Sequence, residues 1–251
     1  MKKKILNMTI IILTLFLILL VVVILKIKLS ERKTESAYSM ARSTVQNVKI
    51  SINESSTPKI SYSQRESSPT SVLDELMPSI TSSNWWIYIP NTCVDYPLAQ
   101  GEDNLYYLTH DAFGNEADAG AIFINCENSY NLTDFKTIIY GHYKSNGTMF
   151  HDIRNYSDCQ YGKEHNKLYI YNEEGTIYIY SLKSYAVVDC YDLGIYDVTA
   201  QENITEFAEY IQSVSTINYD NYSDENPVII LSTCKKHGTN DRSIVVFQLE
   251  K

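Results

Sequence analysis

From Ile5 to Ile27 the chain is apolar except at Asn7, Thr9, Thr14 and Lys26. As a helix this run is long enough to cross a hydrocarbon core of ~30 Å, which predicts a transmembrane segment. A cleavable signal peptide has a shorter apolar stretch of ~7 to 15 residues followed by small residues at a cleavage site. Here the run continues into "KLSERK", so the expectation is an uncleaved anchor behind a short basic N-terminus at 1–4. Residues 28–70 are rich in Ser, Thr, Lys and Glu and poor in large apolar residues, a pattern that predicts an extracellular tether. Within it, "ESAYSMARSTVQNV" has the makings of a loose helix.

The pattern changes at about Ser71, and 71–251 reads as one domain of short β-branched and aromatic runs broken by Gly, Asn and Asp. Strands are predicted at 86–90, 121–125, 137–141, 167–171, 176–182, 184–190, 227–233 and 243–249, with a hairpin around Asn172 to Gly175. One segment has helical spacing: "NITEFAEYIQSV" puts Ile204, Phe207, Ala208, Ile211 and Val214 on one face, with Asn203 and Glu206 at capping-box separation. The fold class expected is mostly β, a closed barrel with a helix inserted before the strand that carries Cys234.

Charge narrows the function. The chain carries −9 overall, but residues 1–33 carry +6, leaving −15 on the remainder. A domain this acidic, without a Lys/Arg cluster past residue 33, is a poor match for nucleic acid or anionic lipid. Cys93, Cys126, Cys159, Cys190 and Cys234 show no C-x-x-C spacing, so zinc-ribbon and thioredoxin-like readings have no support. Spacing leaves their pairing open, with buried free thiols as the default. The positive-inside rule does not decide the anchor's orientation, because lysines and arginines flank it on both sides. The bulk of the chain follows the anchor, which favours an inside N-terminus and an outside domain.

Two stretches carry possible chemistry. In "VIILSTCKKHGTNDRSIVVFQ", a strand–loop–strand would set Cys234 beside Arg242, and a cationic neighbour favours the thiolate needed for acyl transfer. In "TIIYGHYKSNGTMF", a strand runs into Gly141 and His142, and the glycine would allow a tight turn that leaves the imidazole at a strand mouth. His110, His151, His165 and His237 lie among polar residues and read as surface histidines. His237 is three residues from Cys234, but two potential ligands do not make a metal site. Cysteine, histidine and arginine can together support acyl transfer, as nucleophile, proton carrier and oxyanion clamp, without a carboxylate. Spacing does not show that they converge.

With "YGH" at 140–142, "LSTC" at 231–234, Arg242 and an N-terminal anchor, the chain resembles the sortases, cell-surface cysteine transpeptidases of Gram-positive bacteria. "NWWIYIPNTCVDYPLAQGEDNLYYL", "GAIFINCEN", "IIYGHYKSNGTMFHDIRNY" and the helix at 203–214 are similar to class B. The resemblance covers roughly residues 80–250. It implies an eight-stranded sortase barrel, with Cys234 as nucleophile, His142 as general acid/base and Arg242 as clamp. It further implies a substrate groove lined by Asn104, Leu108, Tyr140, Ser232 and Thr233. The implied reaction cleaves a C-terminal sorting signal of secreted proteins after its threonine and passes the thioacyl group to an amine of peptidoglycan or its lipid-linked precursor. No metal or other cofactor is implied. Cys126 departs from the class, where an acidic residue is more usual, and the other extra cysteines match no family role. The alternatives are a hydrolytic cysteine peptidase with the same residues, and a surface domain that only binds.

Overall fold

The computed structural model describes residues 2–53, 85–172, 176–223, 225–235 and 238–250. His237, residues 54–70 of the expected tether, and the hairpin tip at 173–175 lie outside them.

Nine strands form one sheet: β1 (Trp85–Tyr88), β2 (Asp95–Gln100), β3 (Ile122–Ile124), β4 (Lys136–Tyr140), β5 (Lys167–Asn172), β6 (Ile177–Asp189), β7 (Ile217–Asn218), β8 (Val228–Cys234) and β9 (Asp241–Leu249). Neighbours run β5-β1-β2-β3-β4-β8-β9-β6, and β5 also pairs with β6, so eight strands close into a barrel. The two-residue β7 is added at Ser184 and Tyr185 of β6. The β2–β3 and β4–β8 contacts are parallel. Closure removes the open sheet edges of the eight strands.

The membership of the barrel differs from the sequence expectation at two places. Residues 176–182 and 184–190 are not two strands but one, bent by a register shift between Leu182 and Ser184. Lys183, which interrupts the apolar run, sits at this shift with its Nζ bonded to Asp220 and to the carbonyl of Asn221. The strand not expected is β2, "DYPLAQ", whose Asp95 and Pro97 weaken its β signature. Asp95 accepts the indole N–H of buried Trp86 at 2.8 Å.

Alternation along the strands separates two apolar layers. Ile139, Ile229, Leu231, Val245 and Phe247 belong to the large core that fills the barrel. Ile138, Val228, Ile230, Ile244 and Val246 face outward into a second layer, covered by Ile204, Phe207 and Ile211 of a helix at Ile204–Val214. That helix is where its periodicity placed it. The Asn203 side chain accepts the Glu206 N–H, while Glu206 reaches back to the N–H of Glu202 rather than Asn203.

The N-terminal helix, α1, runs without a break from Lys2 to Asn53. Its first part is long and apolar enough to cross a membrane. The continuation is not a free tether as far as it is described: Thr34, Tyr38 and Ala41, on one helical face, are buried against the barrel. Tyr38 packs edge-on to Tyr96, and its hydroxyl accepts the N–H of Ala112. Arg42 lies over the Tyr96 ring and donates to the carbonyl of Asp95. Few apolar residues suffice because the barrel supplies the opposing surface. The remaining helices are short: α2 (Cys159–Glu164) and α3 (Leu193–Tyr196) precede α4 (Ile204–Val214).

Candidate active site

The site is built on the outward face of three adjacent strands. Tyr140 of β4 pairs with Ser232 of β8 in parallel register, so His142 and Cys234, each two residues further on, emerge at the same end of the sheet. Cys234 is directly opposite Arg242 of β9. Residues 138, 230 and 244 belong to the outward layer, so by two-residue alternation His142, Cys234 and Arg242 share that face. All three are half-buried.

His142 leaves β4 through Gly141, whose N–H bonds to the carbonyl of Ser232. The glycine is required by packing rather than by the tight turn expected from sequence. A Cβ there would lie 2.5 Å from Ile122 Cδ1 and 2.6 Å from the Phe150 ring. His142 Nε2 donates to the carbonyl of Leu108 at 2.9 Å, because a carbonyl can only accept. That fixes the tautomer and leaves Nδ1 as the nitrogen able to take up a proton. Gly120, in the left-handed region at φ +60°, backs the imidazole: a Cβ there would come within 3.1 Å of the ring and 2.5 Å of the Tyr107 carbonyl. Asp118 is held below the usual carboxylate range chiefly by its hydrogen bond and ion pair with Lys144, with a smaller pull from His142.

The cysteine's backbone is clamped from outside the strands. Arg154, in a 3-10 turn at His151–Ser157, donates Nε–H to the carbonyl of Cys234 at 2.7 Å and lies over the Tyr143 ring. Arg242 is steadied by bonds from one terminal nitrogen to the carbonyls of Thr239 and Asp241, at 3.1 and 3.2 Å.

A wall of aromatic and polar groups continues from these residues. Asn104 donates to Asn125 at 3.2 Å, and Asn125 donates to the Tyr140 hydroxyl at 3.1 Å. Burial pushes the Tyr140 phenol up to about 12, so it is a neutral group at physiological pH. Tyr140 stacks on Tyr196 of α3, with centroids 6.2 Å apart, and the Tyr196 hydroxyl bonds to Ser232 at 2.8 Å. Leu105 and Tyr106, just ahead of Leu108 in the chain, and Tyr191 and Leu193, just ahead of Tyr196, are exposed.

Thus Asn104, Leu108, Tyr140 and Ser232 all connect to the site. Thr233 does not share their face: alternation turns it into the barrel, where it is buried opposite Ser243 and its hydroxyl has no partner. The resemblance implied a groove position for it on the short match "LSTC", but a residue that adjoins Cys234 in a strand points to the opposite face. Tyr196 and Arg154 were missed. Tyr196 lies in a segment without periodicity, and Arg154 reaches Cys234 from 80 residues away. His110, His151 and His165 are not free surface groups either. Each is half-buried, with Nδ1 bonded to a backbone carbonyl and its ring stacked on a tyrosine. All five cysteines are free thiols; four are half-buried and Cys159 is exposed.

Comparison with known proteins agrees with this architecture. A family model of the sortase domain matches residues 87–250. The sequence is 33% identical to sortase B of Listeria monocytogenes over 168 residues, covering 65% of this chain and 67% of the relative. It is 26% identical to sortase B of Staphylococcus aureus over 169 residues, covering 66% and 69%. Among solved structures, a Staphylococcus aureus sortase B–substrate complex superposes with a TM-score of 0.72 at 23% identity, covering 89% of this chain and 99% of that one. Sortase B from the type II pilus of Streptococcus pneumoniae superposes with a TM-score of 0.59 at 33% identity, covering 73% and 99%. The chain belongs to the sortase family of cysteine transpeptidases, and within it to class B.

Proposed function

We propose that this chain is a membrane-anchored transpeptidase in which Cys234, His142 and Arg242 carry the chemistry. It cleaves a C-terminal sorting signal of secreted proteins after its threonine and transfers them to an amine of peptidoglycan or its lipid-linked precursor. The observation that carries the reading is the emergence of the three residues on one face at one end of β4, β8 and β9. The Cys234 thiolate attacks the threonine carbonyl. The unengaged N–H groups of Arg242 stabilise the oxyanion, and the C–N bond breaks as imidazolium Nδ1–H protonates the leaving amine. In the second half an incoming amine attacks the thioester, gives its proton to Nδ1 and returns the thiolate. The Leu108 carbonyl keeps Nε2–H engaged throughout, so one nitrogen serves both transfers. Asn104, Tyr140 and Ser232 line the groove for the signal, with Leu108 at its catalytic end.

Residues 5–27 anchor the chain with the N-terminus inside and the domain outside; intact cells should lose the domain to added protease, and a protected domain would contradict this. The central test incubates the full chain in detergent micelles with a fluorogenic sorting-signal peptide, with and without triglycine as amine. A ligated product that requires Cys234 is expected. Turnover that gives only hydrolysis whether or not amine is present would favour a peptidase instead.

A further inference from the structure

A buried cation with no part in the acyl transfer is tied to the segment that carries Tyr196. Lys136, at the start of β4, is 1% exposed, yet among the described residues no carboxylate lies within bonding distance of its ammonium. Its three bonds go to neutral oxygens of a single segment: the carbonyls of Asp197 at 2.8 Å and Gly194 at 3.4 Å, and the Gln201 side chain at 2.8 Å. Gln201 in turn donates to the same Gly194 carbonyl at 3.0 Å. The Asp197 carboxylate is engaged elsewhere, with Thr199. Taking an ammonium out of water is costly, and an apolar side chain would fill this space without that cost. What an apolar side chain lacks is three donors able to hold an irregular stretch of backbone.

That stretch carries Tyr196. Two of the tie points, Gly194 and Asp197, bracket it, and its ring and hydroxyl meet Tyr140 and Ser232. Gly194 is pinned from α4 as well, since a Cβ there would lie 2.2 Å from the Tyr210 ring. We propose that Lys136 is a positioning residue for substrate recognition: it fixes the segment 193–201, and through it Tyr196, as one wall of the groove beside Cys234. The inference rests on the function proposed above. It predicts that loosening the clip weakens capture of the sorting signal without altering the thiol.

The test compares the full chain with Lys136→Met and Gln201→Ala in detergent micelles, using a fluorogenic peptide carrying a sorting signal of the same organism. Far-UV circular dichroism checks folding, and iodoacetamide alkylation of Cys234 reports the thiol independently of peptide binding. Lys136→Met should raise KM by about tenfold with a much smaller change in kcat and an unchanged alkylation rate. Gln201→Ala, which leaves the lysine in place, should move KM in the same direction by less, and it carries the test if Lys136→Met does not fold. A KM within about twofold of the parent in the folded variants would overturn the inference. So would an alkylation rate that falls together with activity. A parent chain that turns over no peptide would sink the proposed function, and this inference with it; parental turnover with an unmoved KM sinks this inference alone.

Discussion

Removing the Cys234 sulfur should end product formation while leaving the barrel intact, because the side chain is half-buried at the end of β8 and fills no core position. Full activity in Cys234→Ala would rule out a thioacyl route. Arg242→Lys should lose most of the activity although the charge is kept, since a point charge cannot both hold the Thr239 and Asp241 carbonyls and present a planar fork to an oxyanion. Arg154→Met should lower kcat by about tenfold or more, with Cys234 still open to alkylation, because it frees the Cys234 carbonyl. The Cys234–Arg242 pair was legible in the sequence, since two β runs joined by a short loop bring their ends together. The approach of His142 was not, because it depends on parallel pairing between β4 and β8, which nothing in either segment announces. Thr233 marks the opposite limit: a short local match to the family suggested the groove, and strand alternation turned the side chain away from it.

Among the elements, those with strong periodicity were readable and those with a local contradiction were not. The α4 helix carried both its apolar face and its cap in the sequence. The β2 strand hid behind Pro97, which is tolerated because it faces only Trp86 of β1: the β3 register begins one residue later, at Leu98, so no β3 ladder bond is required of it. The break at Lys183 was a bulge inside one long strand rather than a turn between two. Gly141 gives the clearest prediction at this scale. Gly141→Ala should destabilise the barrel by about 1–3 kcal/mol, measured by thermal or denaturant unfolding, because the new methyl group meets Ile122 and Phe150. If the variant is as stable as the parent, packing is not what demands glycine ahead of His142.

On the scale of the whole molecule, the helix whose first part is long and apolar enough to cross a membrane also docks on the barrel, through Thr34, Tyr38 and Ala41. The sequence concealed this because the apolar face is only those few residues wide and its partner surface lies far along the chain. Tyr38→Ala should cost about 2–4 kcal/mol in the docking and make residues around Arg42 sensitive to limited proteolysis. Solvent conditions also act on the assembled fold through Lys136. Burial lowers its amine from 10.5 to about 8, against the opposing pull of Asp197 and Asp192, the charged groups that face it. Between those values the unfolded chain holds a proton that the folded chain has released, so this group's contribution makes stability rise with pH across that window. Comparing the pH slope of unfolding in the parent and Lys136→Met should show that component missing from the variant.

The most direct measurement is the intact mass of the full chain after mixing with a sorting-signal peptide in the absence of amine. The predicted result is an acyl adduct on Cys234 with the mass of the peptide up to its threonine, discharged by triglycine into a ligated product and absent from Cys234→Ala. Peptide cleavage without an adduct, or an adduct that survives in Cys234→Ala, would contradict it.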